Sequence, residues 1–349
     1  MKIRIKKTYI CGQVDNWELQ TKIIRNYKPQ VGDVGIFEIT HIGKHFNVQN
    51  DSKRNATIIE GDRIMAAFGT RYATEQFEGY VPEHVNQELH ILGGGGTIGV
   101  IKSMHYKYKD IGPTKLRMIG LVTDKEGNII NTKKLMQEEL IPFTGGAASM
   151  TNVILSLGSS MDSGKTTTAA YLINCLKKTG HKVAYIKLTG TVYTKDCDLA
   201  YDMGADMVAD FGDYGFPSTY MCNEEELLSL YETLLAKVLP LRPDHVIIEI
   251  ADGLFERETK MLLRNETFCS TVGGVVFSAG DSLSAISGIQ ILNKWGICPT
   301  MISGLFTASP LMIKEVRENT SLPVFTIDDL AYGKEPARLF LRESAMATT

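Results

Sequence analysis

Long apolar runs are missing from this sequence. No window approaches the roughly 18 apolar residues a membrane-spanning helix needs, and the basic start MKIRIKKTYI has no apolar stretch of signal-peptide length. A cytoplasmic location with no membrane partner is therefore expected. Cysteine is scarce and scattered: Cys11, Cys175, Cys197, Cys222, Cys269 and Cys298 form no Cys-x-x-Cys pair, which fits reduced, mostly buried thiols. The histidines show no metal spacing either. His41 and His45 are four apart, but they flank a glycine in a β-rich region and so do not share a helical face. An excess of one charge is also lacking. Lys and Arg total 37 against 40 Asp and Glu, a formal net charge of −3, so no field favours nucleic acid. What remains is 44% hydrophobic and 22% charged residues over 349 positions, the balance of a folded protein of about two domains.

The two halves differ in texture. Over residues 1–145 short apolar runs at 34–40, 56–59, 63–68, 89–92 and 116–122 alternate with Gly-Asp and Gly-Gly punctuation, and 124–128 reads as a hairpin turn. A small barrel or sandwich is the natural architecture. A run of small residues at 144–149 forms a linker. Beyond it, over 150–335, strands and helices alternate. Strands are expected at 153–157, 182–187, 245–250, 274–278, 299–303 and 322–327, with helices at 164–178, from Asn223 onward, and near 255–265, 282–295 and 310–319. That alternation predicts an α/β domain, a Rossmann-like, doubly wound parallel sheet, followed by a tail at 336–349.

One loop carries phosphate-binding chemistry. Gly158, Ser159, Ser160, Met161, Asp162, Ser163, Gly164, Lys165, Thr166 and Thr167 lie between a fully apolar strand and an amphipathic helix, where a P-loop must lie. Small residues let main-chain amides curl around phosphate oxygens, and the helix start aims its dipole at the same anion. Lys165 supplies a charge for the β- and γ-phosphates, Thr166 a hydroxyl for Mg²⁺, and Thr167 reaches the α/β-phosphates. Five residues separate Gly158 from Gly164 where the standard pattern has four. Either Ser159 takes the first glycine's place or the loop is one residue longer. A second glycine cluster, 94–99, has dinucleotide-fingerprint spacing, but a strand and not a helix follows it, so a turn or bulge is expected. The segment 206–220, dense in Asp, Gly and aromatics, reads either as a loop over the ligand or as surface structure with one strand. Arg71, among aromatics and acids at 69–79, is a candidate contact for an anionic ligand.

The five-residue spacer and the Gly-Lys-Thr resemble the P-loop of dethiobiotin synthetase. They also resemble its SIMIBI-type relatives, the molybdopterin-guanine-dinucleotide adaptor protein and the cobyrinic-acid amide synthases. The resemblance spans roughly 152–330. It implies that Lys187, at a strand end, faces the substrate and the transferred phosphate. It makes Asp198 a Mg²⁺ ligand, with Asp196 in reserve, and has Glu249 complete the metal site, with Asp252 as competitor. Each has a structural alternative: Asp198 as a helix cap, Lys187 as a solvated strand end. Ile250 and Ala251 depart from the glycines the family carries there, and the β domain has no counterpart in dethiobiotin synthetase. No guanine motif of Asn-Lys-x-Asp type is found, so ATP with Mg²⁺ is expected. The expected activity is transfer of the γ-phosphate to a small carboxylate or carbamate-like substrate, with Lys165, Lys187 and Glu249 catalytic. The alternative is a nucleotide-hydrolysing switch acting on a protein partner. The resemblance also implies a homodimer.

Overall fold

The computed structural model describes residues 4–22, 27–85 and 87–341. It divides into two compact units. The first comprises 1–141, 189–195 and 210–233, the second 142–188, 196–209 and 234–349.

In the first unit, alternation builds a barrel. Phe37 and Ile39, Ile64, Ala66 and Phe68, and Leu89 and Ile91 recur at every second position of their strands and converge in one buried cluster. Arg63–Phe68 pairs with Val34–His41, that strand with Lys115–Thr123, and Lys115–Thr123 with Leu89–Gly93. Leu89–Gly93 pairs with Thr97–Met104, whose start lies parallel to Arg63–Phe68 and closes the ring. Gly94–Gly96 is the tight turn of the hairpin, followed by a register shift at Thr97/Ile98, as expected for a glycine turn with a bulge. The loop reading of 206–220 gives way to regular structure. Met207–Asp210 is a strand of the second sheet, and Phe211–Tyr214 is a 3₁₀ turn in which Asp210 and Asp213 cap each other reciprocally. Phe211 and Phe216 are buried, anchoring the segment at both positions. Arg71 is also committed. It is buried, and its guanidinium donates to the Leu92 carbonyl and to Gln76 Oε1.

The second unit carries the parallel sheet. Its six strands lie in the order Met207–Asp210, Val183–Lys187, His245–Glu249, Asn152–Gly158, Gly274–Ser278, Met301–Ser303. Every residue of Asn152–Gly158 and of both its neighbours is buried, as the continuous apolar runs require of strands covered on two faces. The helix Lys165–Lys178 buries Ala169, Leu172, Ile173 and Leu176 against the sheet. The strand expected at 322–327 shrinks to one parallel bridge, Ile302 to Val324. Pro323 has no N–H for a ladder, and Thr326 and Asp329 cap each other to start the helix Ile327–Tyr332. Residues 336–341, expected as tail, pack: Ala337 and Phe340 join the core. Residues 342–349 of that expectation lie outside the described residues.

Candidate phosphate-binding site

The strand Asn152–Gly158 ends where the loop must turn sharply. A side chain at Gly158 would place its Cβ 2.4 Å from Ser163 Oγ and 2.6 Å from Lys165 Cγ. A residue with a side chain would therefore not fit at Gly158 without displacing these groups. Gly164 takes φ +95° just before the helix Lys165–Lys178. The segment after the Glu249 strand presses on the loop from one side: a Cβ at Gly253 would lie 2.4 Å from the Ser159 carbonyl oxygen. Gly304 presses from another, with a Cβ position 2.7 Å from the Ser163 carbonyl oxygen. Among the described residues, no acceptor is found for the backbone N–H groups of Met161 through Thr167. This curl of free amides at a helix start is the strand–loop–helix of a P-loop.

Lys165 is buried, and its ammonium donates to two carbonyl oxygens, Ser160 at 2.7 Å and Asp252 at 2.6 Å. Among the described residues it makes no ion pair. Burial lowers its pKa against the upward pull of Glu249, and the Lys187 charge adds to the lowering. An anion arriving here would relieve that penalty.

Behind the loop the charged groups form one network. Glu249, 1% exposed, accepts from Thr166 Oγ1 at 2.9 Å and Tyr185 Oη at 2.7 Å. Its Oε1 also pairs with Lys187 Nζ at 2.5 Å, and that ammonium meets Asp196 Oδ2 at 2.7 Å. Burial alone would lower the Lys187 pKa, but Asp196 and Glu249 more than reverse this and hold it above the usual lysine range. Burial, with the Glu249 charge beside it, drives the Tyr185 hydroxyl well above its usual pKa, so it stays a donor.

Beside the loop lies a cavity of about 240 Å³, lined by Gly164, Thr167, Leu305, Thr307, Ile327 and Asp328 among others.

The chain is similar to solved structures of the signal recognition particle system. The signal recognition particle 54 kDa protein from Aeropyrum pernix K1, in complex with GDP, shares 18% identity over 60% of this chain and 50% of that one, with a TM-score of 0.40. This chain thus spans half the length of that protein. Chloroplast FtsY from Physcomitrella patens shares 17% identity over 60% of this chain and 72% of its own, with a TM-score of 0.37. The receptor FtsY from Elizabethkingia anophelis shares 18% over 61% and 75%, with a TM-score of 0.34. No family model and no curated protein matches the chain.

The structure brings Lys165, Thr166, Lys187 and Glu249 together. Of the two candidate aspartates, Asp196 reaches Lys187, while Asp198 lies exposed on the same helix. Asp252 contributes its main-chain carbonyl to Lys165. Sequence reasoning missed Tyr185, which sits inside an apolar strand and carries no motif. It also missed the cavity wall at 304–308 and 326–328. There the Thr-x-x-Asp capping pattern at Thr326 and Asp329 was a readable signal.

Proposed function

We propose that the second unit binds a magnesium nucleoside triphosphate and hydrolyses it, working as a nucleotide-dependent switch. The observation that carries this is the curl of amides from Met161 to Thr167 that find no acceptor among the described residues, around Lys165, whose ammonium donates to two exchangeable carbonyls. A triphosphate supplies acceptors for both. Thr166 Oγ1 and Glu249 Oε1 are hard oxygen donors in contact behind the loop, and they belong to the donor set a phosphate-bound Mg²⁺ takes. Among the described residues no group of three or more His, Cys, Asp or Glu converges as a cage, so an ion here relies on phosphate oxygens and water for its remaining ligands. When bound, it neutralises charge on the phosphates.

For the base, the cavity beside Thr167 supports guanine over the adenine expected from the sequence. Asp328 is the carboxylate in its wall. A carboxylate accepts the adjacent N1–H and N2–H of guanine, whereas it would meet the adenine N1 lone pair. Leu305 and Ile327 offer apolar surface for the ring. Transfer of the γ-phosphate to a small carboxylate or carbamate asks Lys187 to face the acceptor. Its bridge between Glu249 and Asp196 leaves that charge compensated, which supports water as the acceptor.

Titration calorimetry with Mg·GTP and Mg·ATP tests the reading. Lys165→Ala is expected to lose most affinity while its thermal melt stays close to wild type. Wild-type affinity in that variant would overturn it. Preference for ATP would move the base assignment and leave the phosphate site standing.

A further inference from the structure

At the N-terminal ends of the central strands of the parallel sheet, within the second unit, lies a cavity of about 440 Å³. Asn152 and His245, in its wall, are the paired first residues of the strands that end at Gly158 and Glu249. The cavity and the phosphate loop therefore share strands and no residue. Its volume is that of a site for a small organic molecule and far exceeds what a trapped water needs.

Its polar groups can be assigned. Asn152 Nδ2 gives one proton to the Phe340 carbonyl at 3.0 Å and the other to His245 Nδ1 at 3.2 Å, which fixes His245 Nδ1 as an acceptor. Thr179 gives its only hydroxyl proton to the Leu176 carbonyl at 2.8 Å. Its 3.0 Å contact with His181 must then be Nδ1–H to oxygen. The two rings lie with centroids 5.0 Å apart, tilted by 60°. Asp244 also lines the wall, but its Oδ2 is taken by the Lys182 N–H at 2.7 Å. Arg242 is exposed, and no carboxylate among the described residues pairs with its guanidinium. Met150 and Leu341, 72% and 45% exposed, and Leu239 make the rest of the rim apolar.

We propose that this cavity binds a small organic anion, a carboxylate or phosphate carried on an apolar body. The head group sits on the Arg242 guanidinium, which accepts either anion in a fork of two N–H bonds. The body lies over the His181 and His245 rings between Met150, Leu239 and Leu341. Inorganic phosphate satisfies only half of this chemistry.

Calorimetric titration of the full chain with phenyl phosphate, phenylacetate and inorganic phosphate tests the site. At least one of the aryl anions is expected to bind about tenfold or more tightly than inorganic phosphate, and the stronger of the two identifies the head group. Arg242→Ala, and separately Met150→Glu, should each weaken that binding about tenfold or more. Both side chains are exposed, so neither change threatens the fold, and a thermal melt checks this. Lys165→Ala should leave aryl-anion binding unchanged, which separates this site from the phosphate loop. Failure of both aryl anions to bind overturns the proposal, as does binding that survives Arg242→Ala or disappears with Lys165→Ala.

Discussion

Glu249 shows how little of a site one residue's identity decides. A carboxylate 1% exposed is tolerable only because an ammonium and two hydroxyls meet it. Lys187→Met would leave that charge buried with hydroxyl donors alone, and should lower unfolding free energy by about 3–5 kcal/mol in urea denaturation. Lys187→Met with Glu249→Leu should cost clearly less than the sum of the single changes. A loss below about 1 kcal/mol for the single variant would mean that Glu249 is not relying on Lys187. The terminal lysine and glutamate of adjacent strands were legible in the sequence, because charges ending apolar strands stand out. Which aspartate joins them was not. Asp196 and Asp198 are two apart on one helix, about 200° around its axis, so only one can face Lys187. Burial of Cys197 and Ala200 against the core sets the rotation that brings Asp196 inward.

Among the elements, the helix Arg257–Leu263 begins on an unusual cap. Glu256 Oε2 accepts the Thr259 N–H at 2.7 Å while nearly buried. Burial, and then the hydrogen bond and charge of Glu258, push its pKa from 4.5 up to about 9. A carboxyl with a raised folded pKa holds its proton more tightly folded than unfolded. Its stabilising contribution is full below about pH 4.5 and is lost as pH rises to about 9. Glu256→Gln keeps an acceptor for Thr259 and removes the titration. It should therefore flatten the decline of stability with pH across this window, by up to about 1.4 kcal/mol per pH unit. Urea midpoints at about pH 5, 7 and 9 measure it, and parallel curves for the two proteins would show that Glu256 titrates normally. Element type was readable wherever period and cap agreed, as at Ser309 before Pro310–Asn319. It was misread at 322–327, where an apolar run looked like a strand but the cap that follows it wins.

At the scale of the molecule, the first unit is not a continuous stretch of chain. Residues 189–195 and 210–233 belong to it. Thr97 Oγ1 donates to the Pro217 carbonyl at 2.8 Å, Thr132 Oγ1 to that of Gly215 at 2.6 Å, and Gln49 Nε2 to Thr194 Oγ1 at 2.6 Å. These are buried bonds, and losing their partners leaves polar groups unsatisfied at about 1–3 kcal/mol each. Residues 1–141 expressed alone should therefore unfold at markedly lower denaturant than the intact chain. An isolated piece with the full chain's stability and dispersed amide signals would show that the inserted segments are dispensable.

By itself the sequence determined the local chemistry: a glycine-flanked lysine ahead of a helix, apolar strands ending in charge, and an alternating half that must close on a core. These are short-range consequences of backbone sterics and hydrophobic period, which act within a few residues. The tertiary structure alone decided the aspartate that meets Lys187, the membership of 189–195 and 210–233, and the cavity at the strand N-termini. Each depends on groups distant in sequence competing for one volume, and packing resolves that competition only when the whole chain is in place.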